Sequence, residues 1–232
     1  MRRVLLATAA LAGTALAAAP AFASPNLVTN GSFETPTPGS GLAGWTIGGV
    51  DLQGYPPVAI YYGAAQPYPN GAFGEAVPAN NAATNSPDAA GARAAYFVTD
   101  LANNQSLSQM VYLTAGVYQI GFSAYSPRNG YSNPGDATFQ GVVADVTLAN
   151  YSVHAGLAAT WQTFAGATTV AADGLYEVKF VFNTNLVPSA DVVIDQVYII
   201  AGNPPIPTPE PATLALMGVG LLGLGLARRR RR

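Results

Sequence analysis

The chain has 232 residues, which suits one domain with short appendages. Half of it is hydrophobic and only 9% is charged, against about 25% in an average soluble domain, so a charged disordered chain is excluded. Between Arg3 and Arg228 only Arg93, Arg128 and Lys179 stand against twelve acids, which leaves no basic patch for nucleic acid. There is no cysteine, which excludes disulfides, thiol catalysis and Cys-ligated zinc.

The N-terminus reads in three zones. Met1–Arg3 is basic, Val4–Ala19 is apolar and Ala-rich, and Ala21-Phe22-Ala23 is a small-x-small cleavage signal. This predicts a secretory signal peptide over residues 1–23, with Ser24 first in the mature chain. The alternative is an N-terminal membrane anchor. The short Ala-rich core and the cleavage signal argue against it.

Residues 24–202 show no amphipathic helical period but several period-2 segments, which predicts an all-β sandwich or jelly roll. Weaker strands are expected at Asn26–Phe33, Trp45–Gly49, Val58–Tyr62, Ala94–Val98 and Leu107–Leu113. In 117–125, Tyr118, Ile120, Phe122 and Ala124 share one face. Further strands are expected at Phe139–Leu148 and Trp161–Val170. In 175–182, Tyr176, Val178, Phe180 and Phe182 point inward, with Glu177 and Lys179 outward. Residues 191–200 are nearly all apolar and read as a buried strand. Gly63–Ala92 carries no long apolar run. Thirty irregular residues inside a compact domain imply a functional loop across one face or a mobile excursion.

After residue 202 the character changes. Residues 203–211 form a Pro-rich linker ending in Pro209-Glu210-Pro211, where helix and sheet are disfavoured. Residues 212–227 carry no charge, and residues 228–232 are all arginine. As a transmembrane helix the apolar run would reach about 24 Å, slightly short of a ~30 Å hydrocarbon core. Snorkelling arginines can make up the difference, and they place the terminal cluster in the cytoplasm.

This order of Pro-Glu-Pro, short Gly/Leu-rich span and terminal arginines resembles the PEP-CTERM sorting signal. The resemblance implies recognition by an exosortase at Pro209, Glu210 and Pro211. It further implies a transient stay in the inner membrane, then delivery to the outer envelope or extracellular matrix. A plain tail anchor is the alternative.

A second resemblance lies in the body. Asn26–Glu34 (NLVTNGSFE) followed by Gly44-Trp45 looks like the opening of family-4/9-type carbohydrate-binding modules and their galactose-binding-like relatives. Residues 117–124 resemble their central strand, Trp161-Gln162 their penultimate hairpin, and residues 191–197 (DVVIDQV) their last strand. Gln196 departs from the usual second aspartate. The resemblance implies a jelly roll, sugar binding, and a structural calcium held by Glu34 and Asp195.

By period 2, Asp195 shares a strand face with Val193 and Val197, and a carboxylate there needs a partner. Two carboxylates plus carbonyls suit Ca²⁺, which takes 6–8 oxygens. An Asp hydrogen-bonded without any ion is the other reading. For a sugar face, the aromatic and polar candidates in loops are Tyr61, Tyr62, Tyr68, Tyr125, Arg128 and Tyr131, with Asn129 beside them. Trp45 and Trp161 read as packing residues. Catalysis finds little footing: His154 is the lone histidine, no Gly-x-Ser-x-Gly occurs, and the acids are scattered. Three functions compete: an exported polysaccharide-binding module, a structural matrix protein without a ligand cleft, and an enzyme on polysaccharide. The sequence favours the first and a non-enzymatic role.

Overall fold

The computed structural model describes residues 24–35, 42–65 and 75–202. The expected signal peptide with Ala21 and Ala23, Tyr68, the Pro209-Glu210-Pro211 motif and the expected transmembrane helix lie outside these residues.

Among the described residues ten strands build two antiparallel sheets. They are β1 (Thr46–Asp51), β2 (Val58–Tyr61), β3 (Arg93–Phe97), β4 (Ala102–Leu113) and β5 (Gly116–Tyr125), then β6 (Thr138–Val143), β7 (Val146–Ser152), β8 (Gln162–Val170), β9 (Gly174–Asn183) and β10 (Val192–Ala201). One sheet has the order β1-β4-β9-β6-β7, the other β2-β3-β10-β5-β8. Without β1 and β2, the eight remaining strands alternate between the sheets, except at the β6–β7 hairpin, as in a jelly roll: β4-β9-β6-β7 faces β3-β10-β5-β8. The expected all-β jelly-roll sandwich is the observed fold.

The inward period-2 faces meet between the sheets. Ile120, Phe122 and Ala124 of β5 and Val178, Phe180 and Phe182 of β9 are all buried there. Phe180 lies at the centre of an aromatic cluster, 4.9 Å from Phe122, 6.0 Å from Trp45 and 6.1 Å from Phe139, centroid to centroid.

Three expectations need correction. Residues 26–33 form no strand, because Asn30 and Phe33 take left-handed backbone conformations (φ 51° and 57°). The segment reaches the second sheet by isolated bonds instead, such as Leu27 N–H to the Ile199 carbonyl at 2.9 Å. Residues 139–148 are a hairpin, β6–β7, whose turn is Ala144-Asp145 with φ 50° and 61°. In β10 the pairing with β5 slips between Asp195 and Tyr198, and Gln196 adopts φ 49°. This bulge reverses the side-chain parity. Val197 therefore packs in the inter-sheet core with Ile194 and Ile199, whereas Val193 packs in a separate cluster with Tyr96 and Tyr125. Asp195 and Val197 do not share a face.

That separate cluster lies on the outer side of the second sheet. Residues 75–92 cross it as an irregular strap. Val77 of the strap is buried against Ile60, Tyr96, Tyr125 and Trp161. Trp161 Nε1 donates to the Pro78 carbonyl at 2.9 Å, and Thr163 Oγ1 to the Ala83 carbonyl at 2.6 Å. The strap is thus the second half of the expected irregular excursion, laid across one sheet face.

Candidate functional site

Two polar sites stand out. The first lies under the strap. Asp195 is fully buried. Its Oδ2 accepts from the Tyr62 hydroxyl at 2.6 Å and from Asn80 Nδ2 at 2.9 Å. Asn80 also donates to Gln196 Oε1 at 2.9 Å, and Gln196 Nε2 donates to the Asp88 carbonyl at 3.2 Å. Asp195 Oδ1 is buried with no hydrogen-bond partner. Burial therefore pushes the Asp195 carboxyl up to about 7, against the pull of Tyr62, Asn80 and the Gln196 backbone, with Glu34 adding to the rise. Burial first, then Asp195, push the Tyr62 hydroxyl far above the ordinary tyrosine range.

Glu34 enters this site from the segment before β1. Its Oε1 accepts the backbone N–H groups of Ala92 (2.8 Å) and Arg93 (2.7 Å) at the start of β3. Gly91 makes that approach possible: it has φ +67°, and a Cβ there would stand 2.3 Å from the Glu34 carboxyl carbon. Glu34 and Asp195, 161 positions apart in the chain, are thus brought within electrostatic reach of each other. Two carboxylates and an orphaned buried oxygen fit one side of a hard-cation site. Among the described residues no third acid or histidine joins them.

The second site is a groove of about 300 Å³ at one pole of the sandwich. Asp100 comes from the β3–β4 loop, Asn129, Ser132 and Asn133 from the β5–β6 loop, and Pro188 and Asp191 from the β9–β10 loop. Asp191 is 7% exposed, and the Tyr96 hydroxyl donates to its Oδ2. Burial holds Asp191 well above the usual carboxylate range, Tyr96 opposes the shift, and Asp100 adds to it. Burial also raises Asp100, opposed by the Ser189 N–H and the Gln53 side chain. Asn133 Nδ2 donates to the Ser189 carbonyl at 3.0 Å.

The loop candidates do not form one row. Tyr62 and Tyr125 lie beneath the strap; the Tyr125 ring packs at a tilt 5.3 Å from Trp161, and burial lifts its hydroxyl to about 12. Tyr61 is 52% exposed, with the Arg93 guanidinium 4.3 Å above its ring and bonded to its hydroxyl. Tyr131 is half-buried, and its hydroxyl donates to the Val153 carbonyl at 2.9 Å. Arg128 is exposed next to Asn129, and its charge lowers the Tyr125 hydroxyl against the rise from burial. Asp100, Asn133 and Asp191 escaped sequence reasoning, since nothing in their spacing joins three loops that only the fold brings together. Ser152, Asp136 and His154 also meet, but Asp136 sits between the other two. The serine donates to Asp136 Oδ2, and His154 Nδ1 lies 3.6 Å from Oδ1. Histidine does not contact the serine, so this is no nucleophile–base pair.

Comparison with known proteins adds an address. Residues 207–232 match the PEP-CTERM protein-sorting motif. That sorting motif covers the Pro-Glu-Pro, the apolar run and the arginines. No curated protein matches the chain. Among solved structures, a family-61 carbohydrate-binding module in complex with β-1,4-galactotriose is similar over 77% of this chain and 100% of its own, with 17% identity and a TM-score of 0.48. A family-4 carbohydrate-binding module is similar over 75% and 99%, with 15% identity and a TM-score of 0.38. A xylan-binding family-22 module from Paenibacillus barcinonensis is similar over 78% and 97%, with 15% identity and a TM-score of 0.37. A tailspike enzyme domain of bacteriophage CBA120 is similar over 76% of this chain and 21% of its own, with 14% identity and a TM-score of 0.42.

Proposed function

We propose that this is an exported, non-enzymatic protein of the cell envelope or exopolysaccharide matrix that binds polysaccharide through its β-sandwich. The observation that carries the reading is the sorting motif at residues 207–232. It follows a body whose opening and strand motifs resemble carbohydrate-binding modules. In this reading the signal peptide starts export, and the apolar run holds the chain in the inner membrane. An exosortase then removes the tail near Pro209-Glu210-Pro211, and the sandwich passes outward. A span left in place would anchor the protein permanently, whereas a cleaved one only routes it. Replacing Pro209, Glu210 and Pro211 by alanine should leave the uncleaved chain in the inner-membrane fraction. A variant shortened and delivered like the wild type contradicts the routing.

A structural calcium belongs to the same proposal. Glu34 and Asp195 would hold it, and the support is the orphaned Oδ1 of Asp195 beside a second carboxylate. The ion would neutralise both charges and tie the segment before β1 to β10. Tyr62 and Asn80, bonded to the opposite oxygen, would keep the Asp195 carboxylate in place.

A further inference from the structure

The strap decides where a ligand cannot sit. It lies over Tyr62, Tyr96, Tyr125 and Trp161, so these rings on the outer face of the second sheet are packed by the chain itself. The groove at the loop pole is different, being concave and lined by polar groups from three loops. β10 begins beside it at Val192 and ends at Ala201. At about 3.3 Å per residue that strand spans on the order of 30 Å. Gly202 N–H bonds the Val117 carbonyl at the far end, at 2.8 Å. The described chain therefore ends, at Gly202, at the pole opposite the groove.

The lining also defines the chemistry. Asp191 is almost fully buried yet lines the groove, and among the described residues the Tyr96 hydroxyl is the only donor to its carboxyl. Among the described residues no other donor reaches its carboxyl, which leaves it open to a sugar hydroxyl in the groove. Asp100 stands close enough to act on Asp191 electrostatically, and no Lys or Arg is among the described lining residues. An anionic sugar would meet two carboxyls and no cation among the described lining residues. Burial raises both carboxyls, and a carboxyl that keeps its proton can donate to a sugar hydroxyl as well as accept from one. About 300 Å³ lies at the lower end of the range for small-ligand sites, enough for a short stretch of glycan rather than a long chain.

We infer that this groove holds a short segment of a neutral glycan, with sugar hydroxyls bonded to Asp191, Asp100, Ser132 and Asn133. The inference rests on the polysaccharide reading above and assigns that binding to one pole.

The test is calorimetric titration of the full-length chain in detergent with cellotetraose, galactotetraose and xylotetraose. Tetragalacturonate and the glucosamine tetramer serve as the charged counterparts. At least one neutral tetraose should bind saturably, and neither charged tetramer should bind as well. Ser132 is exposed at the groove, so Ser132→Trp should block it without disturbing the core. That variant and Asp100→Ala should each weaken binding at least tenfold, with the melting temperature of Ser132→Trp unchanged. Wild-type affinity in both variants overturns the groove but leaves the polysaccharide reading standing. Preference for a charged tetramer overturns the assigned chemistry. Failure of the wild type to bind any neutral tetraose overturns the inference while the binding of native polymer still tests the broader reading.

Discussion

Asp195→Asn isolates the energetics of the site under the strap. The buried carboxyl titrates at about 7 instead of 3.8. Between those values the folded protein keeps a proton that the unfolded chain has released, so raising the pH favours unfolding. Below about pH 4 both states are protonated and nothing is lost; above about pH 7 the whole cost is present. At about 1.4 kcal/mol per pH unit the interval amounts to ~4 kcal/mol for this one group. Asp100 and Asp191 tilt the curve the same way, so the telling quantity is the difference between wild type and variant. The uncharged amide still accepts from Tyr62 and Asn80, and its own N–H₂ fills the position of the orphaned oxygen. Urea denaturation in chelator, from pH 4 to pH 8, should show the wild type losing up to ~4 kcal/mol relative to Asp195→Asn. Calcium at pH 8 should restore the wild type and leave the variant unchanged. Parallel pH curves for the two proteins would refute the buried-charge argument, and an equal calcium response would refute the ion's placement.

Other outcomes follow from the packing. Phe180→Ala empties the centre of the aromatic cluster and should cost about 3–5 kcal/mol in the same denaturation assay. Gly91→Ala drives a Cβ into the Glu34 carboxyl at a left-handed position; it should lower the melting temperature and abolish any calcium response. Asn80→Ala removes the strap's bonds to Asp195 and Gln196. Limited proteolysis should then cut within residues 75–92 sooner, while the inter-sheet core stays protected.

The direction of a strand's side chains reads most cleanly from sequence where one face is wet. β9 alternates cleanly because Tyr176, Val178, Phe180 and Phe182 pack inward while Glu177 and Lys179 meet solvent. β10 gives no such signal, since the core covers one face and the strap and β5 environment bury the other. Its apolar run therefore hides the bulge at Gln196, and with it the direction of Val197. The β6–β7 turn was illegible for another reason: Ala144-Asp145 lacks the Asn-Gly or Asp-Gly pair that usually marks two left-handed residues. At the site, Glu34 and Asp195 could be named from the motifs around them. Their neighbours Tyr62 and Asn80 are paired to Asp195 only by the path of the strap. Asp100, Asn133 and Asp191 meet only because jelly-roll crossovers bring three loop ends to one pole.

The most direct measurement of the central proposal is retention of the tail-processed protein on the exopolysaccharide of its own host. Sedimentation would be run with calcium and with chelator. Saturable co-sedimentation, competed by soluble polymer, is the predicted result, and a weaker bound fraction in chelator would bring calcium into that binding. Protein that stays in the supernatant in both buffers would contradict polysaccharide binding and leave the sandwich as a structural body delivered by its tail.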